Sequence, residues 1–156
     1  MKYIKKETFE FVLNHDDTTF AVDDNIASAV QILNKKGYLT KDSGACINDK
    51  ELVEYTIDKA RKDIFDENNI PYEIISHGDV FLINGPKYGE YCYVEFLEEE
   101  DFAKIPADFT YKNKFLSYPI IYYKDNVRRS DEEIEMEILK VNAQLLTWAL
   151  RIKGKG

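Results

Sequence analysis

The sequence predicts an α+β fold: an antiparallel sheet of about four to five strands with helices on one face and a long C-terminal helix. Three observations carry this. Short alternating segments crowd between residues 72 and 97, separated by turn-forming residues. Ile26, Ala29, Val30 and Leu33 recur at the spacing of one helical stripe. Ile134, Ile138, Val141, Leu145, Trp148 and Ile152 do the same over a much longer run.

Residues 7–13 alternate well enough for a strand, with Phe9 and Phe11 on one face, and the polar run 15–19 reads as a turn. Asp23 and Asp24 introduce a helix through about Lys36, which Gly37 ends by supplying a left-handed residue. Tyr38-Leu39-Thr40 is a short strand, and Lys41-Asp42-Ser43-Gly44-Ala45-Cys46 is polar enough to read as a loop. Asn48 with Glu51 three residues later forms a capping box, which predicts a helix whose buried face is Leu52, Val53, Ile57, Ala60 and Ile64 and which stops at Pro71.

Residues 72–76, 80–83 and 91–97 then read as an antiparallel meander. In the last of these, Cys92, Val94 and Phe96 face one way and Tyr91, Tyr93 and Glu95 the other. A further strand is expected at 120–123, with Pro119 at its start or on an edge. Ser130 followed by Asp131, Glu132 and Glu133 caps the final helix, and Arg151 and Lys153 complement its negative end. Its apolar stripe packs across the sheet, or alternatively forms a dimer seam.

With 156 residues, the chain is expected to be a single domain spanning 1–156, able to bury about 70% of its unfolded surface without a disulfide or metal staple. Hydrophobic residues make up 44% and charged residues 32%, which excludes the disordered class. Two cysteines without Cys-x-x-Cys spacing and the absence of an apolar leader or an 18-residue apolar run point to a reduced, cytoplasmic setting away from membranes. A net charge of −8 argues against direct nucleic-acid binding, since phosphate tracks need clustered cations. It favours a protein partner with a basic surface, drawn in by long-range attraction.

Catalytic candidates are few. Ser43 and Cys46 lie in the Gly-containing 42–46 loop before a predicted helix start, whose amides lower a thiol pKa. His77 and Asp79 flank a glycine, as base and orienter or as two metal ligands, although tight turns select the same residues. No metal site and no cofactor are expected: two histidines cannot build a His-rich cluster, and 85–89 lacks the ending of a phosphate-binding loop. Binding candidates are the run Glu98, Glu99, Glu100 and Asp101 and the exposed-face Tyr91 and Tyr93, extended by Tyr122 and Tyr123 into an aromatic platform.

Two stretches resemble a group of small uncharacterised proteins of low-GC Gram-positive bacteria and their phages. One runs through Ile32-Leu33-Asn34-Lys35-Lys36-Gly37, Tyr38-x-Thr40 and Ser43-Gly44; the other joins Tyr93-Val94-Glu95-Phe96, Ile105-Pro106 and Phe109 to Leu145-Leu146-Thr147-Trp148-Ala149. The group's loop carries Cys-Cys-Ser-Gly-His, whereas this chain has Lys41 and Asp42 at the cysteine positions and Ala45 at the histidine. The resemblance therefore implies a shared scaffold without that chemistry. It also implies a mobile-element setting, in which small acidic proteins inhibit host nucleic-acid-binding or defence proteins.

The expected function is a non-enzymatic acidic protein-interaction domain, monomeric or homodimeric. The alternative is a small enzyme or ligand-binding domain centred on the 42–46 loop.

Overall fold

The computed structural model describes residues 2–6, 11–12, 19–46, 54–56, 63–64, 66–67, 73–77, 80–84 and 88–156. The architecture is α+β, as expected. Its centre is a four-stranded antiparallel sheet in the order β4 (Thr40–Gly44), β8 (Tyr91–Phe96), β10 (Phe115–Pro119), β9 (Thr110–Lys112). On its inner face pack α1 (Asp24–Lys35), which meets β4, and α2 (Asp131–Arg151), which meets β8, and the two helices also pack on each other. Three smaller sheets complete the described residues. These are β2-β1-β3 (Phe11–Val12, Lys2–Lys5, Thr19–Val22), β5-β7-β6 (Glu54–Thr56, Val80–Asn84, Glu73–His77) and the ribbon of β11 (Tyr123–Lys124) with β12 (Val127–Arg128).

The period of each element decides what it buries. Ile26, Ala29, Val30 and Leu33 of α1 are buried, and Gly37 ends the helix at φ 94°, a conformation a side chain rarely adopts. Cys92, Val94 and Phe96 of β8 are buried while the residues between them are not. Ser130 accepts from the Glu133 amide at 3.2 Å and so caps α2, while the Glu133 carboxylate turns to Arg129 at 3.6 Å. The predicted stripe is interior: Ile134, Ile138, Val141, Leu145 and Trp148 are buried against α1 and β8, each contributing about 1.5–3 kcal/mol by removal from water.

The two helices are joined at one end by an ammonium group. Lys36 Nζ donates to the carbonyls of Ala149 (2.8 Å), Leu150 (2.9 Å) and Ile152 (2.7 Å). These carbonyls at the C-terminus of α2 lack helical partners, and a cation there also meets the negative end of the helix dipole.

Four expectations are corrected. The 41–46 run is not all loop: 40–44 is an edge strand, whose polar side chains are tolerated because only its backbone is needed by β8, with a bulge between Thr40 and Asp42. The helix expected from Asn48 is interrupted at 54–56 by β5, where Tyr55 and Thr56 prefer a pleated surface. Residues 63, 64, 66 and 67 are helical, but Asn48 and Glu51 lie outside the described residues.

The meander is split, because β7 has β5 on one edge and β6 on the other and offers β8 no edge to pair with. Finally, the strand expected at 120–123 lies earlier, at 115–119. Pro119 ends it instead of starting it, and its missing amide costs nothing there.

Two tight hairpins went unseen in the sequence: Asn113 and Lys114 join β9 to β10, and Asp125 and Asn126 join β11 to β12, all four at positive φ. This is the turn whose twist suits a two-residue hairpin.

Candidate functional site

The 42–46 segment is taken up by the scaffold. Beyond Gly44 the ladder stops, and side chains satisfy the next peptide. Asp23 Oδ2 accepts from the Ala45 amide at 2.8 Å, and Asn142 Nδ2 donates to the Ala45 carbonyl at 3.4 Å. Cys46 is buried at φ 69°, a strained region for a residue with a Cβ. Its carbonyl accepts from the Gly89 amide at 2.9 Å and its thiol donates to the Gly89 carbonyl at 2.9 Å. The Tyr122 hydroxyl donates to the same carbonyl.

Burial pushes the Cys46 thiol up to about 12, opposed in part by its hydrogen bonds to Tyr122 and Gly89. Cys92 is raised by burial as well, and its thiol donates to Asn142 Oδ1 at 3.3 Å. A thiol acts as a nucleophile only once deprotonated, so neither cysteine is poised to attack near neutral pH. Ser43 is half-buried on β4, its amide donating to Asp42 Oδ1 at 2.8 Å.

His77 is the last residue of β6 and pairs with Val80; Gly78 and Asp79 between them lie outside the described residues. Sheet pairing does not unite the two sets of candidates, since His77 belongs to β5-β7-β6 and Ser43 to β4-β8-β10-β9. Among the described residues no three His, Cys, Asp or Glu side chains converge as metal ligands. Nor is any helix there long and apolar enough to cross a membrane.

The outer face of the four-stranded sheet is more distinctive. Register places Asp42, Glu95, Phe115 and Lys112 in one row across it, Gly44, Tyr93, Ser117 and Thr110 in the next, and Tyr91 with Pro119 beyond. Tyr93 stacks on Phe115 with ring centres 5.0 Å apart, and Tyr91 meets both edge-on at 5.4 and 5.6 Å. The Tyr93 hydroxyl donates to Asp42 Oδ2 at 3.0 Å. Burial, then the Asp42 charge, pushes Tyr93 ionisation up. Gly44 makes room for that ring: a Cβ there would lie 2.6 Å from it. Lys41 closes the row on Glu95 at 3.6 Å.

The platform therefore consists of Tyr91, Tyr93 and Phe115, without Tyr122. Tyr122 is buried, held by Gly89 and beneath the Arg128 guanidinium at 5.3 Å, while Tyr123 sits exposed on the separate ribbon. The sequence does not name Phe115, because the strand expected from it begins at 120, five residues beyond the observed start; the alternation Phe115-Leu116-Ser117-Tyr118 is the signal that carries it.

The acidic run splits as well. Glu98, Glu99 and Asp101 are exposed just past the end of β8, but Glu100 is only 8% exposed and its carboxylate meets Lys155 Nζ at 2.6 Å. Glu100 is thus an internal ion-pair partner and not part of an outward acidic surface.

The carboxylates at the start of α2 do not join this run. Trp148 Nε1 donates to the Lys104 carbonyl at 2.8 Å, and Lys155 follows the helix end, so 98–104 lies beside the C-terminus of α2. Asp131, Glu132 and Glu133 stand at the other end of a 21-residue helix, about 30 Å away at 1.5 Å per residue. A continuous acidic track is excluded by that separation.

Comparison with protein-family models, with curated proteins and with solved structures gives no match. The functional reading rests on geometry.

Proposed function

We propose that this chain is a non-enzymatic protein-interaction domain that meets a basic protein surface with the outer face of its four-stranded sheet. The observation that carries the reading is the Tyr91–Tyr93–Phe115 cluster, fixed by mutual ring contacts and by Asp42, with the exposed Leu97, Glu98 and Glu99 following just past the end of β8. Tyrosine gives a large, rigid contact area at small entropic cost, which is why aromatic residues dominate the centres of interfaces. Carboxylates at the border steer a cationic partner and make the encounter salt-dependent. The protonated, buried Cys46 favours this reading over an enzyme at the 42–46 segment.

The test is affinity capture from cells with the intact chain, with a Glu98→Lys, Glu99→Lys, Asp101→Lys variant and with Tyr91→Ala. A co-purifying protein lost with both variants, and released by salt, supports the reading. A complex that survives both rejects this face as the contact.

A further inference from the structure

α2 carries a second apolar stripe, on the side opposite its buried one. Met136, Leu139, Ala143, Leu146 and Leu150 repeat at spacings of three and four. Met136, Leu139 and Leu150 are 65%, 58% and 59% exposed, Ala143 is exposed, and Leu146 is half-buried. Isolated apolar side chains on a surface need no explanation, but five in heptad register along one helix form a seam of the kind that buries itself on another helix.

The charge on the same helix says which helix. Asp131, Glu132 and Glu133 crowd its first turn, Arg151 ends it and Lys153 follows. The stripe is symmetric to within one residue about its smallest member: Met136 and Leu150 each lie seven residues from Ala143, and Leu139 and Leu146 lie four before and three after it. We infer that the partner of this face is a second copy of the chain, packed antiparallel about a two-fold axis at Ala143.

In that arrangement Met136 meets the other copy's Leu150, and the two helices approach most closely at the alanines. Heights along the axis put Glu133, ten residues before Ala143, near the other copy's Arg151, eight residues after it. The acidic positive end of each helix dipole thus faces the basic negative end of the other. A parallel pair would set Glu132 and Glu133 against themselves. The seam is independent of the sheet face, so a dimer leaves that face free for another protein.

A two-helix seam of this length falls at or below ~800 Å² per partner, so association is expected at micromolar concentration and above. Sedimentation equilibrium of the full chain should therefore show a mass rising from 18.2 kDa towards twice that with concentration. Leu139→Glu should weaken association at least tenfold while leaving the circular-dichroism melt in place, because Leu139 is exposed.

Orientation is read by mixing chains carrying Met136→Cys with chains carrying Leu150→Cys under oxidised glutathione, which takes up the two electrons and two protons of each disulfide formed. Cross-linking in the mixture and not in either variant alone is the antiparallel result. Self-linking of each variant alone, a Leu139→Glu dimer as strong as the parent, or a mass of 18.2 kDa up to the solubility limit overturns the proposal.

Discussion

Lys155, four residues beyond the last turn of α2, reaches back to the buried carboxylate of Glu100, with Nζ 2.6 Å from Oε2 and 2.7 Å from Oε1. The pair ties the C-terminal segment to the acidic run after β8, and the Glu100 amide is fixed separately by donating to the Tyr111 hydroxyl at 2.9 Å. Hydrogen bonding to Glu100 raises the Lys155 pKa. Lys155→Ala leaves a buried carboxylate without its cation and should lower stability by about 1–3 kcal/mol, the lysine being itself partly exposed. Lys155→Arg should recover most of the loss. Urea unfolding of the three chains checks both.

Lys36 presents a second test of how the helices are joined. Three carbonyls at the end of α2 accept from its ammonium. Lys36→Met keeps the aliphatic stem but removes every donor, and should cost about 2 kcal/mol, near the upper range for a cation at a helix C-terminus. Hydrogen exchange should show the loss concentrated in the last turn of α2.

Gly44 is the position where a single methyl group would be felt. A Cβ would sit 2.6 Å from the Tyr93 ring, which is itself held by Asp42 and Phe115. Gly44→Ala should destabilise by about 1–3 kcal/mol through overpacking and move Tyr93 off Phe115. Adding Tyr93→Ala should cancel most of that penalty, and the double-mutant cycle measures the coupling. If the sheet face is the contact surface, Gly44→Ala also weakens partner capture without changing any charge.

The elements with a sustained period were legible in the sequence. α1 and β8 bury the residues their spacing names, and α2 does so from Ile134 to Trp148, because one face of each meets the core, while Ile152, just past the helix end, is half-buried. What escaped was set by pairing, which a local pattern does not encode. β4 reads as polar loop yet is an edge strand because β8 supplies its ladder, and 54–56 reads as helix yet pairs with β7. The two hairpins lacked the Asn-Gly or Asp-Gly dipeptide that marks such turns, with Lys114 and Asn126 taking the glycine position.

The candidate site was half legible. The outward parity of Tyr91 and Tyr93 follows from alternation, but Phe115 joins them only through register. The burial of Glu100 depends on Lys155, fifty-five residues away.

Cys46 and Cys92 should be silent towards a thiol reagent in the folded protein at pH 8, and both should react on unfolding, because burial favours the neutral thiol at each. The same burial fixes how stability varies with pH. An unfolded Cys46 ionises near its ordinary 9.0, whereas the folded one does so only at about 12. Between those values the unfolded chain has released a proton that the folded chain keeps, so the unfolded state binds fewer protons and stability falls as pH rises. The contribution is complete below pH 9 and is lost through the window up to about 12, at no more than about 1.4 kcal/mol per pH unit for one proton. Tyr122 and Tyr93 add to the slope above their ordinary value of 10.0, since burial raises them both. Thermal midpoints should therefore be flat with respect to these groups from pH 7 to 9 and then decline. Cys46→Ala removes one proton from the balance, so its curve should decline less steeply from pH 9 while being less stable at pH 7 for lack of the bond to Gly89. A parallel decline in both proteins would show that Cys46 ionises alike in the folded and unfolded states, contrary to its burial.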